Sequence, residues 1–485
     1  MVSQESTPYL DALLKYVKNK TIPFHTPGHK QGKGVAQKFR NSIGEKALKL
    51  DLDIDDIENY ENVLEEAEKL ATQAYGADYS FFLVNGSTSG VLTMILSTCS
   101  DGDEIIVPRG AHKSIFAGII LAGATPVFIP SEIDEELHIP YNINPRDIEK
   151  AIEKHPNAKA VIIVNPNYYG LATDMKKIAQ ITHKANKLLL VDEAWGAHFK
   201  FHPLLPCSAT EAGADMCANS THKLLSGMTQ TSMLHIKGNK VNPARVRAMI
   251  NLIQTTSPSC LLRASLDCAR MQMATEGKKL LTKTIDLATK ARQKINKIPG
   301  LYCFGRELIG KPGVYDMDTT RLTINVKNTG HTGYEVEQIL QTTYKIKIEM
   351  SELFNIVVII SIGDSEQDID YLVSCLIDFT STIPKKNTLP KKYNKLANFL
   401  HHLPQQVLSP HSAVFGKQKA VKLTDSIGEV SAELITAFPP GVPLLLPGEK
   451  ISKEIIEYIQ LERAAGMQLN GAIDPTLKTI VIIEG

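Results

Sequence analysis

The sequence has no closely spaced cysteine pair, no long apolar run and almost no net charge, and each absence removes a class of function. Its seven cysteines, Cys99, Cys207, Cys217, Cys260, Cys268, Cys303 and Cys375, are odd in number and contain no C-x-x-C pair. That pattern argues against a disulfide framework or a zinc cage and for thiols kept reduced in a cytoplasmic protein. The longest apolar stretch, Ile115 to Pro130, is broken by glycines and a proline and falls short of a bilayer span. The opening MVSQESTPYLDALLKYVKNK lacks the apolar centre of a signal peptide. With 53 lysines plus arginines against 52 aspartates plus glutamates, the overall field favours neither nucleic acid nor an anionic membrane. A small molecule is the expected partner. There is also no Walker loop, no G-x-G-x-x-G after a strand and no internal repeat.

What is present is an alternation. At 485 residues the chain is long enough for about two to four folding units. From about residue 64, helical spacing in LEEAEKLATQAYG is followed by the apolar run FFLVN (81–85), then VLTMILST as a helix and EIIVP (104–108) as a strand. A helix over 113–122, the strand PVFIP, a helix opened by Asn144 and Pro145, the strand AVIIVNP (160–166), a helix over 174–186 and the strand LLLVDEA continue the rhythm. Apolar, β-branched strands separated by helices predict an α/β fold with a mostly parallel sheet covered on both faces. Function is then expected at the carboxyl ends of the strands. Beyond about residue 256 a long helical region (261–298) leads to RLTINV, EVEQILQTTY and IVVIISIG, which predict a smaller α+β domain. These features divide the chain into an amino-terminal arm (1–58), a large domain (59–260), a small domain (261–382), a basic, proline-punctuated linker (383–396) and a carboxyl-terminal subdomain (397–485).

Four strand ends carry residues suited to chemistry. NGSTSG (85–90) places Ser87, Thr88 and Ser89 where a strand passes into a helix, and amides at a helix start with three hydroxyls can hold a phosphate dianion or cap the helix. VDEAWGAHF (191–199) ends an apolar strand in Asp192, a carboxylate that, if buried, needs a cation or donors to stay ionised. NSTHKLLSG (219–227) places Ser220, His222 and Lys223 after an apolar segment, and a lysine desolvated there can attack a carbonyl as the free amine. In GAHKS (110–114), His112 can be a satisfied core histidine or stack on a planar ligand. Phosphate donors, a strand-end aspartate and a lysine thirty-one residues further on together describe a site for pyridoxal 5'-phosphate, with the lysine condensed onto the aldehyde and the carboxylate on the ring nitrogen.

STHKLLSGMTQTSMLH, VDEAWGAHF, FHTPGHKQG, NPNYYGLATD (165–174), EMSELFNIVVIISIGD (349–364) and PPGVPLLLPGE (439–449) closely resemble segments of the bacterial ornithine/lysine/arginine decarboxylase family, fold-type I pyridoxal phosphate enzymes. The resemblance implies a mostly parallel seven-stranded sheet in the large domain. It also implies Lys223 as the aldehyde-holding lysine, Asp192 as the ring-nitrogen partner and His112 as the stacking residue. Ser87, Thr88, Ser89, Ser220 and His222 would be the phosphate ligands; Ala194 would lie against the other ring face, with Trp195 and His198 lining the pocket. A homodimer or higher homo-oligomer with shared active sites is expected from the same source. The chain opens directly with the arm, so it is similar to short, biosynthetic members rather than those with an amino-terminal wing. The acidic stretch 49–71 departs from the T-E-x-x-G-x-D-x-L-type segment of many relatives, in a region expected at the substrate mouth or dimer contact.

The expected reaction is decarboxylation of a basic amino acid, with arginine to agmatine for polyamine synthesis first and lysine or ornithine next, with His222, Lys223 or His198 returning a proton to Cα. Candidate carboxylates for the substrate's cationic end are Glu349, Glu352 and Asp364, or Asp53, Asp55 and Asp56 of a partner subunit. An aminotransferase, with Arg321 fixing the substrate carboxylate, and a non-catalytic regulatory homologue are the alternatives. No metal is expected: His198 and His202 lack an H-E-x-x-H glutamate, and Pro27 and Gly28 between His25 and His29 forbid a helix.

Overall fold

The structure is a computed structural model describing residues 3–383, 404–438 and 441–484. The expected linker, apart from Ile383, and the start of the expected carboxyl-terminal subdomain lie outside the described residues, as do Pro439 and Pro440.

Strands β1 (Tyr79–Leu83), β2 (Glu104–Pro108), β3 (Thr125–Ile129), β4 (Ala160–Val164), β5 (Leu188–Asp192), β6 (Met216–Asn219) and β7 (Ser232–Ile236) form one seven-stranded sheet in the order β1-β7-β6-β5-β4-β2-β3. Every residue of β4, β6 and β7 is buried, as strands covered on both faces require, and β4 is a continuous apolar run. The β2–β3, β2–β4 and β5–β6 pairs are parallel. Strand β7 alone reverses, running antiparallel to both β1 and β6. The connection from β6 to β7 is a short loop holding only the one-turn helix Thr221–Leu224, enough for an antiparallel return but too short for a covering crossover helix.

The intervening helices start where their caps put them. Asn144 accepts from the Arg146 N–H with Pro145 in the first turn, Asp174 caps Met175–Lys184, and His112 caps Lys113–Ala122.

The chain divides into two compact units, Met1–Ser97 with Leu190–Leu281, and Thr98–Leu189 with Thr282–Gly485. In the first, the segment expected as an arm begins with a core element. Helix Pro8–Lys18 buries Tyr9 and Leu13 completely against Leu64, Phe82, Met233 and Ala264, and the Tyr9 N–H donates to Asp267 Oδ2 at 2.9 Å. Asp267 is paired in turn with Arg270, also buried.

In the second unit, β8 (Tyr302–Cys303), β9 (Arg321–Asn325), β10 (Met350–Ser351) and β11 (Asn355–Ile359) form an antiparallel sheet in the order β8-β9-β11-β10. The end of the long helix Cys260–Ile295 and helices Gly333–Thr343 and Glu366–Thr382 share its core. Farther on, β12 (Gln418–Lys422) pairs with β16 (Thr479–Ile483), and β13 (Ile435–Phe438) lies between β14 (Val442–Leu445) and β15 (Gln468–Asn470). Helix Lys453–Ala465 closes a separate apolar cluster over them. Among the described residues, no helix is long and apolar enough to cross a membrane. All seven cysteines are free thiols.

Candidate active site

The predicted residues of the first unit meet at the ends of β1, β5 and β6. Gly86, at φ +69°, turns the chain out of β1 into helix Gly86–Thr98. That helix can approach β6 only because residue 90 is glycine: a Cβ there would stand 3.0 Å from both Ala218 Cβ and Leu83 Cδ1. The close approach carries Ser87 to β6's end, where Ser220 Oγ donates to Ser87 Oγ at 2.7 Å. Thr88 is exposed, while Ser89 is buried and its hydroxyl donates to the Gly86 carbonyl at 2.8 Å. Helix-start amides and the Ser87–Ser220 hydroxyl pair thus converge, as a phosphate requires. Neighbouring Thr221 has a fully buried Oγ1 with no hydrogen-bond partner among the described residues.

Asp192 ends β5, almost wholly buried, and its Oδ1 accepts from the Ala194 N–H at 3.1 Å. Burial raises its carboxyl above the ordinary range, while the Lys223 charge and the Ala194 amide pull it back. A ring N–H⁺ placed beside it would hold it ionised. Lys223 Nζ lies 4.0 Å from the centroid of the buried Trp195 ring, within cation–π range. His222 Nδ1 lies 2.8 Å from the Thr231 carbonyl oxygen; since a carbonyl only accepts, Nδ1 carries the proton and the neutral ring presents a bare Nε2. Burial lowers the His222 pKa, with the Thr231 carbonyl opposing and Lys223 reinforcing. Ala194 and His198 are also buried, and the His198 ring packs at 4.9 Å from that of Phe199.

One residue here escaped the sequence reading. Glu193, 2% exposed, accepts from the Ala209 N–H at 2.6 Å and from Asn219 Nδ2 at 2.9 Å. It ties the Asp192 loop to the residue preceding Ser220. Burial pushes its carboxyl up to about 8, and a Cβ on Gly196 would come within 2.6 Å of Glu193 Cγ. The only local signal was a second carboxylate after an apolar strand.

His112 belongs to the second unit, half-buried after β2. Its Nδ1 accepts from the Ser114 N–H at 3.2 Å, which leaves the neutral ring's proton on Nε2.

The carboxylates offered for the substrate's far end separate by their partners. In the first unit the acidic stretch answers the histidines of HTPGHK: Asp56 Oδ1 meets His25 Nε2 at 2.6 Å, Asp53 accepts from Thr26 Oγ1 at 2.6 Å, and Asp51 meets His29 Nε2 at 3.2 Å. In the second, Glu352 is half-buried and bound to the Tyr169 hydroxyl, and Asp364 accepts from the Ser361 N–H at 2.6 Å, whereas Glu349 is exposed. Arg321, offered for the aminotransferase reading, is buried in β9 and donates to the Tyr168 carbonyl at 2.9 Å. Among the described residues no cluster of His, Cys, Asp and Glu could hold a metal ion.

Comparison with known proteins adds a lineage to this geometry. The profile of the Orn/Lys/Arg decarboxylase major domain matches residues 7–368, and that of the family's C-terminal domain matches 393–473. The chain is 42% identical over 488 residues to an arginine decarboxylase of Halalkalibacterium halodurans, covering 100% of this chain and 99% of that protein. It is 39% identical over 487 residues to an arginine decarboxylase of Bacillus subtilis, with 100% and 99% covered. Among solved structures, a Francisella novicida lysine decarboxylase superposes with a TM-score of 0.83 over 99% of this chain and 81% of its own, at 24% identity. Matched in both domains and along its whole length, the chain belongs to the Orn/Lys/Arg decarboxylase family and is an amino-acid decarboxylase.

Proposed function

We propose that the chain decarboxylates arginine to agmatine and CO2, with pyridoxal 5'-phosphate held by the residues gathered at the ends of β1, β5 and β6. The observation that carries the cofactor is the joining of a hydroxyl pair at a helix start (Ser87, Ser220) to a buried carboxylate under the influence of a lysine (Asp192, Lys223). Arginine is favoured by the full-length likeness to two arginine decarboxylases. When bound, the cofactor supplies an electron sink for the pair left on Cα as the carboxylate departs.

The chain's own residues do the rest. Lys223 would hold the cofactor's aldehyde through its amine. Asp192 would keep a proton on the ring nitrogen, its burial strengthening the charge–charge attraction. Ser87, Thr88, Ser89, Ser220 and His222 would hold the phosphate, the family resemblance assigns Ala194 and His112 to the ring, and Trp195 covers the Lys223 side. The buried indole and His198 would limit water at the reacting carbon. Lys223, His222 or His198 returns the proton to Cα. A homodimer or larger assembly with shared sites, working in the cytoplasm, completes the proposal.

The test is CO2 release from arginine, lysine and ornithine with added pyridoxal phosphate, beside Lys223→Ala. Release from arginine that vanishes in the variant is expected. Equal release from the variant, or keto acid formation without CO2, would overturn the reading.

A further inference from the structure

The motif PPGVPLLLPGE has no role in the chemistry above, yet the structure ties it to the loop that bears His112, more than three hundred residues away in sequence. Arg109 directly follows β2 and is buried. Its Nε donates to Glu449 Oε1 at 3.1 Å and its Nη2 to Glu449 Oε2 at 2.9 Å, the two-pronged geometry that fixes a guanidinium in direction as well as place. Its Nη1 donates to the Pro443 carbonyl at 2.7 Å and its Nη2 to the Leu444 carbonyl at 3.3 Å. Glu449 is itself fixed, accepting from the Leu446 N–H at 2.7 Å.

On the far side of the histidine, the Lys113 N–H donates to the Gly441 carbonyl at 3.0 Å. Gly441 sits at φ +100°, and a Cβ there would stand 3.3 Å from His112 Nε2 and 3.4 Å from His112 Cδ2. The glycine backbone is therefore in close range of the ring's edge, while Ser114 holds Nδ1. Farther along the same helix, His411 Nδ1 donates to the Ile120 carbonyl at 2.8 Å.

We propose that the carboxyl-terminal segment 441–449 is a positioning element for His112, acting through the Arg109–Glu449 pair on one side of the loop and the Gly441 backbone on the other. This rests on the reading that His112 stacks on the cofactor. Glu449, Arg109 and Gly441 are positioning residues; they set the angle of a ring that touches the cofactor.

The test is a double-mutant cycle on the full chain, reading the pyridoxal phosphate dissociation constant by absorbance titration for wild type, Glu449→Gln, His112→Ala and both together. Glu449→Gln is expected to weaken binding roughly tenfold, and to change it less than about twofold once His112 is gone, because residues acting through one another are not additive. An equal effect in both backgrounds, or none in either, would overturn the proposal. Gly441→Ala, which crowds the ring without touching the ion pair, gives a second cycle if Glu449→Gln does not fold, with the same expectation and the same refutation. If His112→Ala alone binds as tightly as wild type, the stacking role itself falls; if it binds weakly and neither partner substitution does, stacking stands and positioning falls.

Discussion

Glu193→Gln tests how the strand ends are held. The carboxyl is buried, receives N–H donors on both oxygens, and is lifted by burial from 4.5 to about 8. A carboxyl whose folded pKa exceeds its unfolded value binds more protons in the folded state between the two, so stability falls as pH rises through that window. Below 4.5 its contribution is flat; from 4.5 to about 8 it costs about 1.4 kcal/mol per pH unit, approaching about 5 kcal/mol in all. The glutamine variant removes the ionisation and keeps the volume. Its oxygen can accept from Ala209 and its amide can face the Asn219 oxygen once that side chain turns over. Urea unfolding of both proteins from pH 5 to 9, with cofactor at equal excess, reads the difference. The glutamine variant should gain on wild type steadily with pH and level off above about 8. A constant difference across the range would refute the reasoning, because Glu193 would then ionise as an ordinary carboxyl and hold the Asp192 loop by charge.

His222 yields a second pH effect. Its bare Nε2 must gain a proton, or meet a monoprotonated phosphate, to hydrogen-bond the cofactor, so the dissociation constant should rise by up to about tenfold per pH unit above neutrality. His222→Gln, with a permanent amide donor, should flatten that slope, which titrations at pH 7, 8 and 9 would show. Asp192→Asn should cut CO2 release by about a hundredfold or more while phosphate binding persists, measured as turnover against cofactor affinity. Gly90→Ala, with its new methyl 3.0 Å from Ala218 and Leu83, should destabilise the first unit by about 1–3 kcal/mol, read by thermal melting. Glu349→Gln should raise the KM for arginine with little change in kcat, because Glu349 is exposed while Glu352 and Asp364 already have internal partners.

The alternation of apolar runs and capped helices was legible because caps and strand ends are local: Asn144, Asp174 and the run AVIIV each declare themselves within a few residues. The direction of β7 was not, since an apolar strand reads the same whichever way it runs, and the sheet order depends on the length of the β6–β7 connection. Asp192 and Lys223 were legible as types at strand ends, and the structure puts them within electrostatic reach of one another. Glu193 was passed over because its role is set by Ala209 and Asn219, which no pattern around residue 193 announces. The acidic stretch looked like a departure at a substrate mouth. Its pairing with His25, Thr26 and His29 crosses more than twenty residues of intervening chain, beyond the reach of periodicity.

The Tyr9–Asp267 hydrogen bond constrains the order in which a nascent chain can settle. The first unit is assembled from two stretches, Met1–Ser97 and Leu190–Leu281, separated by an excursion into the second. Helix Pro8–Lys18 leaves the ribosome early, but its buried partners Met233 and Ala264 and its acceptor Asp267 arrive only after the whole of that interval has been translated. At about 5–20 residues per second, Tyr9 and Leu13 stay without their later partners for tens of seconds. Synthesis therefore exposes a sticky segment at the outset, and a ribosome stalled before residue 267 would display it to chaperones and proteases rather than to the core that awaits it.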